Sequence, residues 1–257
     1  MMSPVSERPL TGRIIAVTGA SRGIGRASAL ALAAAGAHVI AIARTQGALE
    51  ALDDEIVAAT GERATLVPMD ITDAKAPDLL GSVLYERWGH LHGLLSAAGD
   101  LGVLTPMGHM EPRTFDRVMA VNVTANWRLL RSFDPLFKRA EAARIIVLTS
   151  GLATEPRAFW GAYAASKAAL ETLVAVYADE VETTGIRTTI LNPGPMRTRM
   201  RAAAFPGEDP DSLTPPEAIG PLVVELMRPD LTPPARVSFA EWSVQRGGGR
   251  FPAQGRE

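Results

Sequence analysis

Short runs of mostly apolar, β-branched residues alternate along this chain with longer stretches whose apolar positions recur at three- and four-residue spacing. The runs are Ile14–Val17, Val39–Ile42, Thr65–Val67, Leu91–Leu95, Ile145–Leu148 and Arg187–Leu191. They are largely continuous rather than alternating, as strands covered on both faces should be. Between them lie helical patterns at Arg22–Ala35, Gln46–Ala59, Ala74–Trp88, Pro112–Lys138 and Gly161–Thr184. A seventh short run, Ala235–Phe239, follows a last helix around Pro216–Met227. Strand and helix in strict alternation make βαβ units. The pattern predicts an α/β fold, a doubly wound three-layer α/β/α sandwich with a parallel sheet of six to seven strands.

Punctuation supports the same division. Gly36, Gly61, Gly89 and Gly185 each fall where a helix should stop and a strand begin, the place of a left-handed C-terminal glycine. Two segments break the rhythm. Prolines at 193, 195, 206, 210, 215 and 216 give 193–216 a loop-like reading, and the Gly-rich end reads as a flexible tail. The expected organisation is one domain over residues 1–242 and a tail over 243–257.

Composition narrows the chemistry. At 257 residues and 47% hydrophobic, the chain has material for one large core. A net charge of −2 offers no polyanion-binding surface, so nucleic acid is not expected as a partner. No apolar run reaches the roughly 18 to 20 residues that a membrane span requires, and no signal-peptide pattern precedes Gly12. There are no cysteines, which excludes disulfides, thiolate metal sites and a cysteine nucleophile. A soluble, cytoplasmic protein is the expectation.

The strand Ile14–Val17 runs into Thr18-Gly19-Ala20-Ser21-Arg22-Gly23-Ile24-Gly25, and a helix follows. A strand, a Gly-rich turn and a helix N-terminus together form a place where a pyrophosphate meets backbone N–H groups. A tight turn without ligand is the bland alternative. The sandwich is therefore expected to be Rossmann-like. An acidic residue ending the second strand would suit the ribose of NAD, whereas arginine suits a 2′-phosphate. Here the strand ends in Ala43-Arg44, with no carboxylate until Glu50. Arg44 and Arg22, unless both are simply solvated, point to NADP (NADPH) rather than NAD.

The strand Ile145–Leu148 leads to Ser150, and Tyr163 follows thirteen residues on at the head of a helix, with Lys167 four residues later. One turn apart, the two share a face. A nearby ammonium favours phenolate, so Lys167 is expected to lower the Tyr163 pKa and make the phenol a usable acid/base. Ser150, at a carboxyl edge, could hold a carbonyl oxygen. Alone, a Tyr-x3-Lys pair occurs by chance. Its place behind Ser150, in a chain that opens with the Gly-rich turn, sets it apart.

Over about Leu10 to Phe239 the chain resembles the short-chain dehydrogenase/reductases. The resemblance rests on Thr18-Gly19-x3-Gly23-Ile24-Gly25, Asp70, Asn122, Ser150, Tyr163-x3-Lys167 and Asn192-Pro193-Gly194 with Thr198. It implies that Tyr163 exchanges the proton, Lys167 binds the nicotinamide ribose, Ser150 positions the substrate and Asn122 holds a relay water. It also implies cofactor contacts at Gly19, Ser21, Arg22, Gly23, Ile24, Asp70, Ile71, Ala98, Gly99, Pro193, Gly194 and Thr198. The family usually carries Asn-Asn-Ala-Gly after the fourth strand, where this chain has Ser96-Ala97-Ala98-Gly99. Ser96 is expected to replace part of the lost bonding between strands, at about 1 kcal/mol per lost bond. A homodimer or homotetramer is implied through the helix of Trp127 and Phe133 and the Tyr-bearing helix.

The expected activity is hydride transfer between NADP(H) and a carbonyl or alcohol of a small to medium, mostly apolar substrate. A non-catalytic NADP(H)-binding sensor or scaffold is the alternative. Trp160, Met196, Met200 and Phe205 either line an apolar substrate pocket or serve as loop and core packing. Arg197, Arg199 and Arg201 either attract an anionic substrate or form a solvated lid face. His90 and His92 are too few for a metal site, and none is expected.

Overall fold

The computed structural model describes residues 8–246. In chain order its elements are β1 (Ile14–Thr18), α1 (Gly23–Ala34), β2 (His38–Ala43), α2 (Gln46–Thr60), β3 (Thr65–Pro68), α3 (Ala76–Trp88) and β4 (Gly93–Ser96). There follow α4 (Pro112–Met119), a π-helical turn (Ala120–Thr124), α5 (Ala125–Phe137), β5 (Arg144–Leu148) and α6 (Gly161–Glu180). The chain continues through β6 (Arg187–Asn192), α7 (Arg199–Ala204), α8 (Gly220–Leu226), β7 (Arg236–Ser238) and α9 (Phe239–Gln245).

All seven strands are parallel and lie in the order β3-β2-β1-β4-β5-β6-β7. The side-chain alternation of each strand feeds two separate cores. Ile15, Val17, Val39, Ala41, Ile146 and Leu191 pack against α1, α2 and α8, while Ile14, Ala16, Ile40, Ile145, Val147 and Ile190 pack against α3, α5 and α6. Burial on both faces is what the unbroken apolar runs require. The order reverses at β1 and β4, and their carboxyl ends open a crevice there. No helix among the described residues is long and apolar enough to cross a membrane.

Four expectations are corrected. The single helix over 112–138 is two helices joined by the π-helical turn. The segment after Pro193 contains α7, because six good or tolerable helix residues, Arg199 to Ala204, sit between its prolines. Gly61 and Gly89 close their helices in the left-handed conformation, but Gly185 does not; a Cβ there would lie 2.7 Å from the Glu141 carbonyl oxygen. Residues 243–245 belong to α9 rather than to a tail. Phe239 and Ser243 are buried, the Trp242 indole donates to Glu225 at 3.2 Å, and Arg246 pairs with Glu225. The rest of the expected tail, 247–257, lies outside the described residues.

Candidate active site

Gly19 follows β1 directly with φ +68°, and a Cβ on it would fall 2.9 Å from the backbone nitrogen of Ala98. Only glycine satisfies both the conformation and the approach. The Thr18 hydroxyl accepts the N–H groups of Ala97 and Ala98 at 3.1 and 3.2 Å, tying the ends of β1 and β4 together. After the half-buried Ser21, α1 starts with no side-chain cap at Arg22 and no acidic residue in its first turn. Half-buried Gly23 and Ile24 open that helix. Its N-terminal N–H groups thus meet the turn with neither a side-chain cap nor an acidic residue in the first helical turn.

The Arg22 and Arg44 guanidinium groups are exposed, and neither forms a hydrogen bond or ion pair among the described residues. Asp70, beyond β3, accepts from the backbone N–H of Thr72, which holds its carboxyl below the usual range; the Arg44 charge adds a smaller pull. Ile71 beside it is buried.

On the other side of the crevice, α6 presents Tyr163 in its first turn and Lys167 in its second. Lys167 is buried and donates from Nζ to the Leu148 carbonyl at 2.8 Å. Tyr163 is half-buried, with the ammonium 5.7 Å from its ring centroid. A point one bond length off the Gly99 Cα lies 3.6 Å from Asn122 Oδ1, 3.6 Å from Met200 Cε and 3.9 Å from Lys167 Nζ. Gly99 is therefore the floor on which these groups converge, next to Ala98 and the turn.

Proton affinities in this corner differ from expectation. Burial pushes the Tyr163 phenol up to about 12, and a hydrogen bond with Ser150 offsets only part of this. Desolvation of the phenol prevails there, while the Lys167 ammonium is held by the Leu148 carbonyl. Burial lowers Lys167 itself to about 8, with Glu171 acting in the opposite direction.

Asn122 is fully buried and bonded at both ends of its amide. Oδ1 accepts the Asp100 N–H at 2.8 Å, while Nδ2 donates to the Asp100 carbonyl and the Ser166 hydroxyl, both at 2.9 Å. It sits in the π-helical turn, where an irregular ladder re-aims side chains toward a site. Ser96 does not bond across the sheet as anticipated. Its hydroxyl donates to Asn126 Oδ1, and Asn126 donates in turn to the Asn122 carbonyl at 2.9 Å.

The segment after β6 covers the crevice. Gly194, at φ +68°, donates its N–H to Asn192 Oδ1 beside Pro193. Thr198 caps α7 at 3.2 Å, and its methyl lies 3.4 Å from where a Gly23 Cβ would be. Trp160 faces Tyr163 at 5.9 Å between centroids, and Phe205 faces Trp160 at 5.8 Å. Arg201 lies 3.8 Å over the Phe205 ring and grips Glu208 with two bonds of 2.5 and 2.6 Å. Met196 departs from the expected pocket: it is buried in the core with Leu191 and Ile219. Arg197 pairs with Asp211, so two of the three lid arginines are already occupied. Phe159, just before Trp160, has φ +75° although it is not glycine, and its carbonyl accepts the Thr105 N–H at 3.1 Å.

His92 lies at the opposite end of the sheet. Burial lowers its imidazole to about 4, and Nδ1 accepts the Ile14 N–H at 3.0 Å.

Sequence reasoning named Thr18 only as part of the Gly-rich motif, without a role, and passed over Asp100, Asn126 and Glu171. Thr18 and Glu171 carried a signal, one preceding the Gly-rich turn and the other standing one helical turn after Lys167. Asp100 and Asn126 carried none, since each acts through a contact made only in three dimensions.

Comparison with known proteins agrees with this geometry. A family model described as short chain dehydrogenase matches residues 13–209. The chain is 39% identical over 223 residues to the uncharacterised oxidoreductase YciK of Escherichia coli K12, covering 86% of this chain and 88% of that one. It is 33% identical to an NADPH-dependent aldehyde reductase-like chloroplastic protein of Arabidopsis thaliana, covering 79% and 78%. A short chain dehydrogenase of Shigella flexneri 2a, solved in complex with NADP, superposes with a TM-score of 0.87 at 36% identity, covering 91% and 98%.

Proposed function

The chain belongs to the short-chain dehydrogenase family, and from that premise we propose that it is an NADPH-dependent carbonyl reductase with Tyr163 as its proton donor. One observation carries the reading: Lys167, Asn122 and Met200 meet over Gly99, beside a Gly-rich turn that ends in an uncapped helix.

The residues fit an NADP dinucleotide. Free N–H groups at the α1 N-terminus suit a pyrophosphate, held by Gly19, Ser21, Gly23 and Ile24. Two unengaged guanidinium groups, Arg22 and Arg44, suit a 2′-phosphate. Asp70 and Ile71 would hold the adenine end. Ala98, Gly99, Pro193, Gly194, Thr198 and Lys167 would hold the nicotinamide end. The NADP-bound Shigella relative and the NADPH-dependent Arabidopsis relative support this preference.

When bound, the cofactor supplies the hydride. The protein's own work is proton delivery and orientation. Ser150 holds the substrate oxygen beside the Tyr163 hydroxyl. With its affinity raised to about 12, Tyr163 stays protonated at neutral pH, the form that carbonyl reduction consumes. Lys167 fixes the crevice geometry, and Asn122 braces the segment of Asp100 against Ser166. Trp160, Phe205 and Met200 make the substrate side mostly apolar. We assign residues 8–246 to one oxidoreductase domain, since a single sheet spans them.

Tyr163→Phe tests the reading. Turnover of a carbonyl panel with NADPH should fall at least a thousandfold, with NADPH affinity within about twofold of wild type. Retained turnover would sink the assignment.

A further inference from the structure

One turn beyond Lys167 on α6, Glu171 is turned into the protein; its side chain is only 11% exposed. Its carboxylate accepts the Thr149 hydroxyl, and it receives both terminal nitrogens of Arg236 from β7. Thr149 lies between Leu148, whose carbonyl takes the Lys167 ammonium, and Ser150. Two consecutive turns of α6 therefore fasten two consecutive residues at the end of β5. Lys167 holds the first and Glu171 the second, and the residue that follows is Ser150.

From this geometry we infer that Glu171 is a positioning residue for the proposed reduction, setting Ser150 against Tyr163 and sustaining the charge of Lys167, with Arg236 governing how much of the carboxylate's charge Lys167 receives. The functional part of this inference rests on the carbonyl-reductase reading; the effect on Lys167 does not.

The charged and titratable groups around Lys167 are few. Its own helix gives Tyr163 and Glu171, and β7 gives Arg236 behind Glu171. Among the described residues, β5 adds the Leu148 carbonyl, the loop after β4 adds Gly99, and the π-helical turn adds Asn122 beside Gly99. Burial pulls Lys167 down to about 8 while Glu171 pulls it up. Neutralising Glu171 must lower the affinity of Lys167 for its proton. Neutralising Arg236 unmasks the carboxylate and must raise it.

These opposite signs make the test. The chain has three lysines, Lys75, Lys138 and Lys167, so protein labelled with 13C at lysine Cε gives a spectrum assignable with single Lys→Arg variants. The Lys167 midpoint should fall by about one pH unit in Glu171→Gln and rise in Arg236→Gln. Gln retains an oxygen to accept the Thr149 hydroxyl, so the first variant removes charge while leaving that bond possible. In parallel, the alkaline limb of NADPH-dependent carbonyl reduction should move with the Lys167 midpoint in both variants. A Lys167 midpoint unmoved in both variants, or moved the same way in both, overturns the inference and leaves the pair a structural tie. If the wild type reduces no carbonyl, the proposed activity fails, while the titration still decides the part concerning Lys167.

Discussion

At the scale of single residues, the site separates groups that touch the reaction from groups that hold them. Ser150 and Tyr163 carry the proposed chemistry; Asn122, Asp100 and Ser166 are joined by hydrogen bonds, and Glu171 holds Thr149 and Arg236. Arg44 is the clearest free group. Since it serves no ion pair among the described residues, its replacement should cost little stability. In Arg44→Asp, fluorescence titration should show NADPH binding weakened by about 100-fold, the scale of losing a charge-assisted bond and gaining a like charge. NADH binding should change by less than fivefold, and an equal loss for both cofactors would refute the 2′-phosphate assignment. The Tyr-x3-Lys pair and both arginines were legible in the sequence because their types and spacing carry the chemistry. The raised Tyr163 affinity was not. It depends on how much water the fold removes, and spacing says nothing of that.

At the scale of elements, strand runs and Gly-terminated helices were legible because burial on two faces writes itself into unbroken apolar stretches. Irregularity was less so. The π-helical turn at Asn122 lies inside a stretch that reads as one long helix, and α7 was obscured by flanking prolines. That short helix depends on side-chain contacts, being only six residues long. Arg201 gives it two, the ring of Phe205 and the carboxylate of Glu208. Arg201→Ala should therefore loosen the cover over Trp160 and raise KM for carbonyl substrates by about threefold to tenfold, from interactions worth about 1 kcal/mol. NADPH affinity should stay within about twofold, and a KM unchanged across the substrate panel would show that α7 needs neither contact.

At the scale of the whole molecule, the surface between α5 and α6 is unusual in what it exposes. Trp127 is 45% and Val176 52% exposed, and they border a groove that is also lined by Leu130, Leu173 and Tyr177 and rimmed by the charged Arg131, Asp134, Lys138 and Glu180. Large apolar groups gathered on one face suit a partner surface, and we propose a second copy of this chain, as the family resemblance implies. Light scattering after size exclusion should give a dimer or tetramer for wild type and a smaller species for Trp127→Glu. A monomeric wild type at tens of micromolar would refute this. The chain's sheet order was legible only as far as strand count and direction; which strands neighbour one another is decided by crossover geometry.

The seam between β1 and β4 joins residues about eighty positions apart, with Thr18 clasping Ala97 and Ala98 across it. Every proposed ligand contact lies on one side of that seam or the other. Closing a loop of this length is slow compared with forming either flank, because its entropy is lost before any contact repays it. During refolding, helical signal can return early from both halves, yet dinucleotide capture must wait for the clasp. Recovery of NADPH binding is thus a clock for closure of that seam, and a chain cut anywhere between the two strands would have to regain that step by finding its other half in solution.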